Sequence, residues 1–187
     1  MKILSKFFVM AFIASLFVSC GGDDKPLPTP VQKQISKTWT ISIRGVAGAT
    51  LTLEEIPITL ADIPGVNTSN FISGEFQNSG SNIQITGLKN TDGAVLNNFT
   101  MQVNNAAAVN FGRVTYTPSG SSDFGSDVPQ SSNRETTFLS SLFTAYAGKG
   151  KTANLKVTFT PSADIVAADN VNLVITINGT YNWNTFD

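Results

Sequence analysis

Val171-Asn172-Leu173-Val174-Ile175-Thr176-Ile177-Asn178-Gly179-Thr180-Tyr181-Asn182-Trp183 reads in two incompatible ways, and the choice decides the fold. Asn178-Gly179 is a strong local signal for a two-residue hairpin turn, because both residues accept the positive φ such turns need. In that register Ile177 faces Thr180 and Ile175 faces Asn182, so the apolar face stops at the turn. Taken instead as one strand, Val171, Leu173, Ile175, Ile177, Gly179, Tyr181 and Trp183 share a single side. Gly179 then serves as a bend where a long strand curls. The continuous strand is the preferred reading.

The same period of two runs back through the chain. Trp39, Ile41 and Ile43 alternate with Thr38, Thr40 and Ser42, and Leu51 and Leu53 repeat the pattern. Ile56 and Ile58 flank Pro57, which belongs at a sheet edge or a bulge because it cannot donate to the ladder. Asp62-Ile63-Pro64-Gly65 reads as a turn. Ile72, Gly74 and Phe76 follow, then Ile83 and Ile85 beyond Asn78-Ser79-Gly80-Ser81. Asn90-Thr91-Asp92-Gly93 is a hairpin signal between a strand ending near Leu88 and one beginning at Ala94. Phe99, Met101 and Val103 mark the latter, and a further strand spans about Val109 to Tyr116.

Thr117 to Gln130 reads as a long loop, mobile or functional, from its Pro, Gly, Ser and Asp content. The period then changes. Phe138, Leu139, Leu142, Phe143 and Tyr146 recur at helical spacing, Ser132 and Glu135 form a capping-box pattern, and Gly148 supplies a stop. Leu155, Val157 and Phe159 open the next strand, closed by Pro161. The expectation is an all-β domain of eight to ten strands, a single antiparallel barrel or sandwich, with one late amphipathic helix. Trp39 opening the first strand, with that helix placed before a long final strand, is similar to a lipocalin-type barrel, which implies an interior ligand site.

Composition narrows the chemistry. The chain has 187 residues, with 41% apolar and only 13% charged, so Thr, Ser and Asn supply the polar surface of strands and turns. Twelve basic residues stand against 13 acidic ones without a Lys/Arg cluster, which argues against nucleic acid as a partner. There is no His, the side chain most used as general base and metal ligand near neutral pH. The one Cys, Cys20, leaves the body without a disulfide, a thiolate metal ligand or a thiol nucleophile.

Cys20 carries its own message. Lys2 and Lys6 precede an apolar run of 12 residues from Phe7 to Val18, interrupted only by Ser15. As a helix this run is ~18 Å long, short of a ~30 Å hydrocarbon core, and fits an export leader. Phe17-Val18-Ser19-Cys20 resembles the lipobox of bacterial lipoproteins, with Phe17 where that family most often has Leu. Gly21-Gly22-Asp23-Asp24 resembles the post-Cys segment of Bacteroidota lipoproteins. The resemblance implies cleavage before Cys20, acylation of Cys20, and display on the outer membrane, on the cell surface if the acidic residues act as they often do in that group. Residues 1–19 are then the signal peptide, 20–30 the lipidated Cys and a Pro-rich tether, and 31–187 the β-rich domain.

Within the body, few residues invite a chemical role. Glu54-Glu55 is an adjacent acidic pair, but neighbours on a regular strand point to opposite faces. Asp123, Asp127, Asp164 and Asp169 sit in polar loops without a fixed calcium spacing, and turn formation explains them. Ser residues lack a His, and Lys149 and Lys151 lie in a Gly-containing, wet segment. Phe124, a large apolar residue in the long loop, is the candidate contact to a ligand or partner. No cofactor, metal or catalytic residue is expected. The expected function is a non-catalytic, lipid-anchored envelope protein that binds a small apolar ligand or a glycan; the alternative is a structural or assembly subunit acting through protein contacts.

Overall fold

The computed structural model describes residues 26–88, 95–116, 122–124 and 133–186. Among them are eight strands: β1 (Pro28–Ser42), β2 (Leu51–Thr59), β3 (Phe71–Thr86), β4 (Leu96–Val103), β5 (Val109–Tyr116), β6 (Ser122–Phe124), β7 (Thr152–Pro161) and β8 (Asn172–Phe186). One α-helix, α1 (Arg134–Tyr146), lies between β6 and β7. The strands form two antiparallel sheets, one in the order β1-β8-β3 and the other β2-β7-β4-β5-β6. Residues 29–185 make one compact unit.

The 171–183 segment is one strand. Thr180 pairs with Glu75 and Asn178 with Gln77, both on β3, so the two sides of Asn178-Gly179 do not fold back on each other. Leu173, Ile175, Ile177 and Tyr181 are fully buried, whereas Val174, Thr176, Asn178 and Thr180 between them are half-exposed. Gly179 has no positive φ. Its role is close approach: a Cβ there would stand 2.4 Å from Cε2 of Phe143 on α1. Gly74 on β3, opposite Tyr181, leaves room for the same ring, with a Cβ there 3.0 Å from Phe143 Cζ. Two small residues on adjacent strands thus form the seat of the helix.

Two irregularities redirect β3. The register shifts between Phe71 and Ser73, which buries Phe71 and leaves Ile72 57% exposed, the reverse of strict alternation. Asn78–Ser81 is an insertion within β3 rather than a turn between two strands, and pairing with β8 resumes at Asn82. Asn90–Gly93 lies outside the described residues. The strands on either side of it, β3 and β4, belong to different sheets and are not hairpin partners. β1 begins at Pro28, earlier than the expected body at Val31, and Thr185 Oγ1 donates to Thr29 O at 3.3 Å.

One hydrophobic core joins both sheets and the helix. Ile83, Ile85, Leu173 and Ile175 enter it from the three-stranded sheet, and Phe99, Met101, Val157 and Phe159 from the five-stranded one. Phe138, Leu139, Leu142, Phe143 and Tyr146 of α1 enter it too, each no more than 3% exposed. No helix among the described residues is long and apolar enough to cross a membrane.

Candidate functional site

The helix places two phenols in the interior. Tyr146 and Tyr181 are fully buried and their hydroxyls lie 2.9 Å apart, each the other's hydrogen-bond partner. Burial pushes both phenols above their ordinary range, and for Tyr146 the neighbouring Tyr181 adds to the push. Trp39 packs edge-on against Tyr146, with ring centroids 5.6 Å apart, and its buried Nε1 has no acceptor among the described residues. The cluster is aromatic packing with one satisfied pair; it presents no convergent acid and base.

Acidic residues among the described part serve turns and surface contacts. Asp164 accepts from Ala47 N–H and Asp169 from Val166 N–H, each at 2.8 Å, consistent with turn chemistry. Glu54-Glu55 departs from its expected geometry. The register of β2 against β7 shifts between Leu53 and Ile56, and Glu55 adopts φ 57°, so the two side chains are not forced to opposite faces. Both border an open groove of about 560 Å³ with Gln102, Asn104, Asn105, Asn154 and Lys156. Lys156 Nζ bonds Glu54 Oε1 at 2.7 Å. Among the described residues no group of three or more acidic, Cys or His side chains is placed to hold a metal ion. Lys149 and Lys151 border a second open groove with Leu60, Ser69 and Thr152.

Cys20, Asp127, Ser132 and most of the long polar segment lie outside the described residues. Phe124 ends β6, a three-residue strand within the segment expected to be all loop, and its backbone pairs opposite Val114 on β5.

Sheet edges form the remaining surface of chemical interest, since an edge strand carries unpaired backbone donors and acceptors. Each sheet has two. β2 is broken by the Glu54-Glu55 bulge and by Pro57, as that proline suggested. β6 has three residues. β3 is covered by the start of α1: Glu135 accepts the Ile83 N–H and Thr136 Oγ1 donates to Asn78 Oδ1 at 2.9 Å. Glu135 therefore serves a strand edge rather than the capping box expected of it, and Asn133 is the N-cap. Burial pushes its carboxyl up, and the Ile83 N–H partly offsets this.

β1 is different. Ile43 N–H donates to Val171 O at 2.8 Å, Thr38 and Thr176 hydroxyls meet at 3.0 Å, and Thr185 reaches Thr29. These three contacts fit one unshifted antiparallel register along the whole strand. The Ile43 bond assigns the odd-numbered residues of β1 to the ladder with β8. On β8 the alternation agrees, because Asn178 and Asn184 N–H groups turn the other way, toward Ser81 and Asn70 on the β3 side. The backbone N–H and C=O groups of Gln32, Gln34, Ser36, Thr38, Thr40 and Ser42 consequently point away from the sheet. Pro28 and Pro30 fall at the same outward parity, where a missing N–H costs no ladder bond. Sequence reading missed this edge, since nothing in the composition of β1 states that it lacks a second neighbour among the described residues.

In comparisons with known proteins, no family model, no curated protein and no solved structure matches the chain.

Proposed function

We propose that the chain is a non-catalytic protein of the bacterial cell envelope, lipid-anchored through Cys20 at the outer membrane, that works by holding another protein. The observation that carries this reading is the filling of the space between the sheets by α1. Phe138, Leu139, Leu142, Phe143 and Tyr146 stand where a lipocalin-like barrel keeps its ligand. We take the architecture as a β-sandwich with the helix inserted at one side, so recognition falls to the outer surface. A second reading is favoured by the groove beside Glu54. Its amides, from Gln102, Asn104, Asn105 and Asn154, are suited to the hydroxyls of a glycan.

Native mass spectrometry of the chain extracted from membranes, with titration of a fluorescent apolar probe, separates protein contact from small-ligand carriage. The expected result is a bare protein mass and no saturable probe uptake. A stoichiometric small molecule in the spectrum, or saturable uptake reversed by a lipid competitor, overturns the protein-contact reading.

A further inference from the structure

We propose that the outward edge of β1, from Gln32 to Ser42, receives an extended segment of another polypeptide whose acidic side chains, four residues apart, sit against Lys33 and Lys37. This rests on the protein-contact reading and names the partner's chemistry.

The backbone argument is one of elimination among four edges. Bulge and proline disable β2, α1 covers β3, and β6 offers only three described residues. Among the described residues, β1 alone offers a long run, with no proline after Pro30 and with its Thr29, Thr38 and Ile43 contacts to β8 all in one register. An incoming strand would extend the β1-β8-β3 sheet by main-chain hydrogen bonds, the bonding used in strand addition generally.

Side chains supply the selectivity. The odd-numbered residues of β1 face inward, yet Lys33 is exposed and Lys37 only half-buried, since no strand among the described residues lies beyond them to cover that margin. Lys37 Nζ stands 6.0 Å from the Trp39 ring centroid. Neither β1 nor its neighbour β8 contains an acidic residue. Lys33 and Lys37 thus form a basic margin ~13 Å long, given ~3.3 Å per strand residue. With even residues making the outward hydrogen bonds, an antiparallel guest pairs opposite Lys33 and Lys37 at non-hydrogen-bonded positions. Cross-strand side chains approach closest there, and opposite charges are favoured over like ones.

The test uses the full chain with Cys20→Ser to keep it out of detergent. Fluorescent eleven-residue peptides of Thr/Val alternation carry either two Glu or two Lys, four residues apart. Anisotropy should show saturable binding of the Glu peptide, weakened by about 0.5 M salt, and little binding of the Lys peptide. Lys33→Glu/Lys37→Glu should raise the dissociation constant of the Glu peptide about tenfold or more and admit the Lys peptide. Ser36→Pro should abolish binding while circular dichroism stays native, because the Ser36 N–H is outside the β8 ladder. Lys37→Gln supplies a milder charge variant should the double reversal not fold. Equal binding of both peptides overturns the charge rule. Binding that survives Ser36→Pro overturns the edge. Dimerisation of the chain without peptide, lost in Ser36→Pro, overturns the acidic partner and makes the guest a second copy. None of these outcomes mimics failure of the protein-contact reading, which is detected by a bound small molecule.

Discussion

Tyr146 on α1 and Tyr181 on β8 share one hydrogen bond of 2.9 Å inside the hydrophobic core, so a polar side-chain bond ties the helix to the final strand there. A phenol in that setting resists ionisation. Both folded-state values lie above the ordinary value near ~10. Their contribution to stability is therefore complete below about pH 10 and is lost as pH rises further, since the unfolded chain then releases protons that the folded chain keeps. Urea unfolding from pH 8 to 11 should show stability falling above pH 10, by up to about 1.4 kcal/mol per pH unit for each tyrosine. Tyr146→Phe/Tyr181→Phe should flatten that fall. An unchanged slope in the double variant would locate the alkaline sensitivity elsewhere.

Tyr181→Ala should cost roughly 3 kcal/mol, as large-to-small changes in a closed core do. Thr180→Ala, one residue away on the half-exposed face, should cost under about 0.5 kcal/mol. Chemical denaturation of the two variants checks both. Equal costs would mean that the strand does not alternate through Gly179.

Gly179→Ala tests the helix seat. Its new methyl would meet the Phe143 ring, which is itself packed at 5.4 Å from Tyr146 and 5.7 Å from Tyr181 and has little room to yield. The expected cost is about 1–3 kcal/mol. Combined with Phe143→Leu, the second change should cost less than it does alone, because the two share one contact. Strict additivity in thermal or urea unfolding would show that the glycine is not there for the ring.

Cys20→Ser should move the protein from the membrane fraction to the soluble fraction, as expected if the lipid on Cys20 is its anchor. Retention of the variant on membranes in high salt would remove the lipid from the account.

Much of the β architecture is legible in this chain because period-two alternation is unbroken where strands are regular. Seven positions from Val171 to Trp183 outweigh the Asn-Gly signal at their centre, since burying one continuous face is worth more than a local turn preference. Ile72 and Asn78–Ser81 mislead for one reason: a bulge changes parity or adds residues without ending the strand, and a sequence pattern cannot separate it from a turn. Glu55 shows the same effect, its left-handed backbone undoing the alternation that set it opposite Glu54. Pro28 and Pro30 resemble a spacer by composition and still begin β1, because the outward parity of an edge tolerates them. The candidate edge is illegible on principle. Which strand lacks a second neighbour is a property of topology, and it emerged only with the sheet order.

β1 and β8 are the first and last strands among the described residues, yet they are hydrogen-bonded partners, with Thr29 and Thr185 in contact across 156 residues of sequence. A loop of that length closes at a large entropic cost before any contact compensates for it, which places the step late and makes it slow. The three-stranded sheet cannot be completed until the segment through Trp183 has been synthesised and is free to pair. The N-terminal strand, however early it emerges, has no finished sheet to join. Nascent β1 waits unpaired on both sides, and the arrival of the C-terminus occupies one of them.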